Sequence, residues 1–153
     1  MGAKKKRIGL YVLACFAVVV LVSLFLMLGP PRLLAKSESP FFCVSCHVME
    51  AEYDAWAHAG AHRREMCVDC HLPNQNMVLH YTWKSIDGLK DTLIFYSGKV
   101  PERIMITAHG REVVQQNCIR CHETTVQNID HERLCWQCHR RIAHRGSGLI
   151  QTL

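Results

Sequence analysis

The stretch Cys43-Val44-Ser45-Cys46-His47 decides the architecture of this chain, because its spacing of two cysteines and a histidine occurs four times. The other copies are Cys67-Val68-Asp69-Cys70-His71, Cys118-Ile119-Arg120-Cys121-His122 and Cys135-Trp136-Gln137-Cys138-His139. This pentapeptide is the attachment signature of c-type haem, in which both thiols bond to the porphyrin and the histidine can ligate the iron. The sequence therefore predicts four covalently bound haems, and we number the motifs one to four in chain order.

Zinc sites and redox dithiols also use paired cysteines, but neither requires a histidine directly after the second cysteine. All four copies have that histidine, which favours haem over zinc. Eight of the nine cysteines belong to the motifs, and the ninth, Cys15, lies in an apolar run where we expect a packing role. Because haem attachment of this kind usually takes place outside the cytoplasm, the motifs also predict an exported domain.

The N-terminal part of the chain predicts a membrane anchor. A basic cluster at residues 4–7 precedes residues 8–28, a run of 21 residues without a charge. A helix of that length spans the hydrocarbon core of a bilayer, whereas the apolar region of a cleaved signal peptide has only about 7–15 residues. We expect residues 1–29 to be a cytoplasmic basic stub and a single transmembrane helix, with the rest on the periplasmic side of a bacterial inner membrane.

The net charge of +5 is concentrated at the N-terminus, because residues 1–7 hold four of the 18 Lys and Arg and none of the 13 Asp and Glu. The rest of the chain is nearly neutral, which gives no electrostatic case for binding nucleic acid. About 120 residues remain for four haems, too few to bury much core of their own. We therefore expect a mostly α domain of short helices and loops wrapped around the porphyrins, with little or no β structure.

The four motifs fall into two pairs, and the segment between the pairs contains no cysteine. This spacing predicts two dihaem units joined by a separate element. The expected divisions after the anchor are a linker at 30–40, a periplasmic tetrahaem domain at 41–153, dihaem units at 43–71 and 118–139, and an amphipathic interhaem segment at 74–100. The linker is short enough to hold the first haem near the membrane surface.

A helical projection of residues 77–96 separates polar from apolar side chains. The polar face has His80, Lys84, Asp87 and Asp91, and the opposite face has Val78, Ile86, Leu89 and Leu93. The segment is therefore predicted to be an amphipathic helix. Two interpretations of it remain open: a solvated polar face with salt bridges, or a helix lying along the membrane interface.

Candidate axial ligands are numerous. Six histidines lie outside the motifs: His58, His62, His80, His109, His131 and His144. Low-spin electron-transfer haems need a second strong axial ligand, so these imidazoles are candidates. The first motif is also followed by a methionine, in Cys46-His47-Val48-Met49. Met49 is either a packing residue or the iron ligand in place of His47, and thioether ligation would raise the reduction potential.

The N-terminal anchor, the paired motifs and the methionine after the first motif together resemble the NapC/NirT family of membrane-anchored tetrahaem cytochromes c, over essentially the whole chain. The compact length without a fifth motif is most similar to the small, quinol dehydrogenase subunits of cytochrome c nitrite reductases in that family. The resemblance implies an enzyme subunit that oxidises menaquinol and passes electrons through four c-type haems to a periplasmic multihaem reductase. The alternatives are a quinol dehydrogenase for other periplasmic reductases, or a passive electron relay without a substrate site.

The resemblance also implies a ligand set for the four irons. Met49 would ligate the first iron on its proximal side and leave His47 unligated. The motif histidines would be the proximal ligands of the other three, namely His71, His122 and His139.

On the opposite side, His144 would ligate the third haem and His62 the fourth, as the family spacing of these residues from the motifs implies. The second haem would take a lysine donated by the partner subunit or an internal histidine. His109 is the internal candidate, followed by His58.

A lysine and an aspartate seven residues apart mark the quinol site in the family. The matching residues are Lys84 and Asp91, with Asp87 as the rival carboxylate, and the helical projection places all three on one face. The resemblance implies that Lys84 hydrogen-bonds a quinol oxygen and that Asp91 helps to accept a proton beside the first haem.

Overall fold

The structure, a computed structural model, describes residues 2–29, 32–129, 132–142 and 144, so the candidate ligand His131 lies outside the described residues. Every regular element in these ranges is helical and they contain no strand, which confirms the predicted mostly α fold. The α-helices are α1 Gly2–Leu28, α2 Leu33–Lys36, α3 Pro40–Cys43, α4 Glu50–Ala57, α5 Cys67–His71, α6 Met77–Tyr96, α7 Ala108–Val126 and α8 Cys135–Cys138. Short 3-10 helices lie at His47–Met49 and Gly60–Arg64.

Helix α1 exposes its side chains in every direction, since each residue from Lys4 to Leu28 is exposed. Its 27 residues rise about 40 Å, at 1.5 Å per residue. By length and composition it is able to cross a membrane, and it is the one such helix among the described residues. A helix that is apolar all round needs an apolar environment on every side, which a bilayer supplies.

The predicted linker between α1 and the first motif is partly folded. Arg32 has a φ of 46°, in the left-handed region that non-glycine residues rarely adopt, and it turns the chain into α2. Ser39 then caps α3, because its side chain accepts a hydrogen bond from the backbone N–H of Phe41 at 3.3 Å. These two turns hold Glu38 between α2 and α3, close to the body of the domain.

Helix α6 spans the same residues as the predicted amphipathic helix. Asn76 caps its start by accepting a hydrogen bond from the backbone N–H of Leu79 at 2.8 Å. Its end is closed by Gly98, whose φ of 67° is the left-handed conformation that favours glycine after a helix. The cap and the stop signal therefore define this helix locally.

The polar side chains in the first half of α6 face the protein, and its apolar side chains face outward. His80 and Lys84 are 13% and 17% exposed, whereas Val78, Leu89 and Leu93 are at least 62% exposed. The interpretation of this polar face as a solvated surface is therefore wrong for His80 and Lys84, because both pair with a carboxylate from another segment. The exposed apolar side chains of α6 instead indicate contact with an apolar partner or with lipid.

Helices α5 and α7 pack together around the buried side chain of Asn117. Its amide nitrogen donates to the carbonyl oxygens of Cys70, at 3.0 Å, and Leu72, at 2.8 Å. Leu72, Val113 and Trp136 are the buried hydrophobic side chains of the described residues. So small a polypeptide core suits a domain organised around large covalently bound groups.

Candidate haem and electron-donor site

Each motif places its two cysteines on or beside a helical turn. The second and fourth motifs coincide with the single-turn helices α5 and α8, and the first begins at the last residue of α3. The third lies near the end of α7, where the backbone leaves helical geometry at His122 (φ −112°, ψ 20°). Residues three apart lie on the same side of a helical turn, so both thiols of a motif face one porphyrin edge. All nine cysteines are among the described residues, and none forms a disulfide.

The motifs are adjacent in space within each pair. A hydrogen bond between the thiols of Cys43 and Cys67 lowers the pKa of Cys43 to about 7 and raises the pKa of Cys67. In the second pair, burial and then the charge of Cys135 raise the pKa of Cys118 to about 12. The attachment thiols of the first and second motifs therefore lie together, as do those of the third and fourth.

Two pairs of imidazole rings lie at a separation suited to binding one metal ion. The ring centroids of His62 and His122 are 6.1 Å apart, and those of His71 and His144 are 5.9 Å apart. Two imidazoles that sandwich one metal ion have centroids about 6 Å apart, because each metal–nitrogen bond is about 2 Å long. Both pairs combine a motif histidine with a histidine from outside the motifs, as bis-histidine haem ligation requires.

The second of these pairs has further features of a ligand pair. The Nδ1 atom of His144 lies 2.9 Å from the side-chain carboxylate of Glu52 and 3.2 Å from the backbone carbonyl oxygen of the same residue. Nδ1–H is therefore the donor in this contact, and Nε2 would be the nitrogen that binds the metal. Burial, followed by the charge of His144, lowers the pKa of His71 to about 4. His71 itself is exposed, so its neutral ring, the form that binds a metal, can be reached.

His109 is a further imidazole without a conventional partner. Its ring stacks on Trp83 with centroids 3.7 Å apart. Its Nε2 atom is buried and has no hydrogen-bond partner among the described residues. Because leaving a buried polar atom unpaired costs about 1–3 kcal/mol, such an atom in a haem-binding chain fits an axial ligand.

The ring contacts group the histidines differently from the ligand set that the family resemblance implies. That set gives His144 to the third haem and His62 to the fourth, but His144 lies against His71 of the second motif and His62 against His122 of the third. His109, the internal candidate for the second haem, lies against Trp83 instead. The lower-ranked His58 uses its Nδ1 atom on the carbonyl oxygen of Asp54 in its own helix, at 2.7 Å.

The first motif continues into a 3-10 helix that contains both candidate ligands of its iron. Met49 is half-buried at the end of that helix. The ring of His47 packs against Phe95 near the end of α6, with centroids 5.6 Å apart. An aromatic contact of this kind gives His47 a packing partner of its own.

Lys84 belongs to a three-residue polar cluster near the first motif. Its Nζ atom lies 3.3 Å from Oε1 of Glu38, and Nε2 of His80 lies 3.4 Å from the same oxygen. The charge of Lys84, acting after the Cys67 hydrogen bond and against burial, helps to lower the pKa of Cys43, which places the lysine near that thiol. Sequence reasoning missed Glu38, although it is the one acidic residue in the predicted linker at 30–40.

The two candidate aspartates occupy different positions from Lys84. Lys90 binds both, with its Nζ atom 2.8 Å from Asp87 and 3.5 Å from Asp91. Asp91 is 70% exposed, whereas Asp87 is 35% exposed and lies close enough to His71 to influence its pKa. The structure therefore places Lys84 beside Glu38, whereas Asp87 and Asp91 lie about one and two turns further along α6, beside Lys90.

The donor set fits haem better than a zinc cluster. Within the part of the chain that the structure describes, no group of three or more His, Cys, Asp or Glu residues is arranged to hold a metal ion. A structural zinc site needs four such donors in a tetrahedron. Paired thiols on helical turns, imidazoles facing each other in twos and the orphaned nitrogen of His109 instead match covalent porphyrins with axial ligands.

Comparison with known proteins identifies the kind of chain to which this arrangement belongs. Residues 3–130 match the model of the N-terminal region of the NapC/NirT cytochrome c family. The cytochrome c-type protein NrfH of Wolinella succinogenes is 34% identical, over 92% of this chain and 86% of the relative. The cytochrome c nitrite reductase subunit NrfH of Nitratidesulfovibrio vulgaris is 32% identical, over 72% of this chain and 70% of the relative.

The fold is also similar to that of a solved complex. A chain from the crystal structure of the cytochrome c nitrite reductase NrfHA complex bound to the HQNO inhibitor superposes with a TM-score of 0.63. It is 26% identical in sequence, and the match covers 83% of this chain and 84% of that one.

Proposed function

Because the chain belongs to the NapC/NirT cytochrome c family, we propose that it is a membrane-anchored quinol dehydrogenase subunit that oxidises menaquinol and supplies a periplasmic nitrite reductase with electrons. Both NrfH relatives and the similar solved complex support the choice of cytochrome c nitrite reductase as the acceptor. The observation that carries the proposal is the position of Lys84. Its side chain faces the protein beside the first motif and pairs there with Glu38, in the segment that follows the anchor.

The position of α6 supports a site at the membrane surface. Glu38 lies ten residues beyond the end of α1 and contacts α6, so this helix is tied close to the exit of the proposed transmembrane span. The outward apolar face of α6 can then enter the lipid headgroup region, as in-plane amphipathic helices do. We place the anchor in the bacterial inner membrane, with the basic N-terminus in the cytoplasm and the haem domain in the periplasm.

The chemistry divides between the cofactors and the protein. When bound, the four haems take up electrons singly and relay them toward the reductase. The ammonium group of Lys84 donates a hydrogen bond to a quinol oxygen and holds the substrate at the first haem. Asp91, or its neighbour Asp87, accepts a proton released by the quinol and passes it to solvent from the exposed side of α6.

The ring pairs support a specific set of axial ligands. We propose Met49 for the first iron, His71 with His144 for the second, and His122 with His62 for the third. His139 is then the motif histidine left for the fourth, and we pair it with His109, whose buried Nε2 atom has no hydrogen-bond partner among the described residues. In this arrangement a lysine from the reductase subunit would have to displace His144 at the second haem, and complex formation would change the absorption of that haem.

Replacing Lys84 tests the site. In the full-length holoprotein in nanodiscs, Lys84→Ala should slow haem reduction by a naphthoquinol by about 10–100-fold, the loss expected for a hydrogen bond from a charged donor. The exposed Lys99 provides a matched control, and Lys99→Ala should leave the rate unchanged. Haem content should stay at four per chain in both variants. Equal rates in Lys84→Ala and the unmodified protein would contradict the site assignment.

A further inference from the structure

Glu38 is the carboxylate that contacts the lysine of the proposed quinol site, and we propose that it accepts one of the two quinol protons, with His80 as its proton-sharing partner. The inference rests on the proposed function and deepens it, because it assigns a proton acceptor to the hydroxyl that Lys84 holds. Asp91, which is largely exposed and paired with Lys90, remains available for the second proton.

The surroundings of Glu38 suit a group that must be ionised and close to the substrate. Its side chain is 20% exposed, and Oε1 lies 3.3 Å from the Lys84 ammonium group and 3.4 Å from Nε2 of His80. Burial, and then the charge and hydrogen bond of Glu38, raise the pKa of Tyr81. The titratable groups that face Glu38 are therefore His80, Tyr81 and Lys84, all from α6.

Hydrogen bonding fixes the protonation of the first nitrogen of His80. Its Nδ1 atom lies 3.2 Å from the carbonyl oxygen of Pro73 and 3.2 Å from Oδ1 of Asn74, and both of these atoms are acceptors. The orientation of Asn74 is set by its Nδ2 group, which donates to three carbonyl oxygens. Those acceptors are Val68 O at 3.2 Å, Asp69 O at 3.1 Å and Leu72 O at 2.8 Å. The Nδ1 atom of His80 therefore carries a hydrogen.

The second nitrogen of His80 lies close to Glu38. Its Nε2 atom is 3.4 Å from Oε1 of Glu38, within the range of an ion pair. This distance places His80 to exchange a proton with Glu38 next to Lys84.

The proposed step is a simple proton transfer. The O–H bond of the quinol hydroxyl breaks and its electron pair stays on the quinol oxygen, while the proton bonds to the Glu38 carboxylate. The proton then leaves for water, and the electrons leave by the haem route of the proposed function.

The outer face of α6 supports access from the lipid, because it is open and mostly apolar. The first half of this face is formed by Met77, Val78, Tyr81, Thr82, Ser85 and Ile86. Tyr81 belongs both to this face and to the surroundings of Glu38. A substrate whose apolar tail lies along this face would therefore have its polar head near the Glu38–Lys84 pair.

The test is Glu38→Gln, which keeps an oxygen for Lys84 to bind but removes a group that can take a proton. In the full-length holoprotein, kcat for naphthoquinol oxidation should fall about 100-fold, as for loss of a general base, while KM changes less than about twofold. The pH profile of the rate should also change, because the variant lacks a group that can accept a proton at this position. Glu102→Gln, at an exposed position, should retain the unmodified rate and profile.

His80→Gln provides a second measurement, the pH profile of the rate, which should not change if Glu38 and His80 have only a structural role. Removing the imidazole takes away the group that exchanges a proton with Glu38, so the pH profile of the rate should differ from that of the unmodified protein. A normal profile in both Glu38→Gln and His80→Gln, with Lys84→Ala slow, would overturn this inference and leave the proposed function intact. Normal rates in all three variants would overturn both.

Discussion

A single imidazole becomes a haem ligand only when one nitrogen is directed at the iron and the other is satisfied. His144 fits this condition because Glu52 takes its Nδ1–H, at 2.9 Å, and its ring lies 5.9 Å from that of His71, centroid to centroid. The Nδ1 atom of His58 is also satisfied, by the carbonyl oxygen of Asp54 at 2.7 Å, but among the described residues no ring contact brings His58 to a motif histidine. The ring contact with a motif histidine therefore distinguishes the proposed ligand His144 from His58.

Replacing His144 should therefore change one spin state. In the oxidised holoprotein, His144→Ala should convert one haem from low-spin to high-spin, because it removes the sixth ligand proposed for the second iron. Electron paramagnetic resonance would show a new high-spin ferric signal equivalent to about one haem per chain. His58→Ala is the matched control and should leave the spectrum unchanged. An unchanged low-spin population in His144→Ala would contradict the pairing with His71.

The same measurement on the unmodified protein separates an enzyme from a passive relay. A relay without a substrate site needs four six-coordinate, low-spin irons, whereas a first haem ligated by Met49 and open to quinol gives a high-spin signal before any substitution.

Among the elements, α6 has the most unusual orientation. It turns His80 and Lys84 toward the domain and leaves Leu89, Leu93 and Tyr96 at least 62% exposed. In water this arrangement would expose apolar area at a cost of about 25 cal/mol per Å². The cost disappears when the outward face lies in lipid, which is consistent with the contact between α6 and the segment that follows the anchor.

We expect α6 to contact acyl chains in a bilayer. Phospholipids that carry a diazirine on the acyl chain, incorporated in nanodiscs with the full-length holoprotein, should label the peptide containing Leu89 and Leu93 on irradiation. The peptide containing Ile129, which is 55% exposed but lies after α7, is the internal control and should be labelled at least about tenfold less. Equal labelling of the two peptides would show that α6 does not lie in the membrane interface.

The molecule as a whole has too little polypeptide core to be stable alone. Among the described residues, Leu72, Val113 and Trp136 are the buried hydrophobic side chains, and α5 with α7 forms the main contact between helices. A domain of this size normally needs disulfides, metals or other cross-links, and covalent haems supply both apolar area and cross-links here. Cofactor attachment and folding are then one process.

Removing one haem should therefore unfold the domain without affecting the anchor. We expect Cys67→Ser combined with Cys70→Ser to make the periplasmic domain at least about tenfold more sensitive to protease in membrane vesicles, because these two cysteines of α5 would hold the second haem. Cys15→Ser, which changes the cysteine outside the motifs, should leave protease resistance unchanged. A protease-resistant double variant would mean that the polypeptide folds without that haem.

The sequence by itself determined the features that depend on local spacing. The four haem motifs, the apolar helix at the N-terminus and the range of α6 are all encoded within a few turns of chain, by thiol spacing, length and capping residues. Family membership followed from the same local signals, and the comparisons confirmed it. Such features need no knowledge of what packs against them.

Only the tertiary structure decided which residues meet. Glu38 and Lys84 are 46 residues apart in the chain, and Glu52 and His144 are 92 apart, so no local period relates either pair. The inward orientation of the polar side of α6 likewise depends on the carboxylate that another segment offers it. Contacts between distant segments are set by the folding of the whole chain around its cofactors, and a spacing rule cannot specify them.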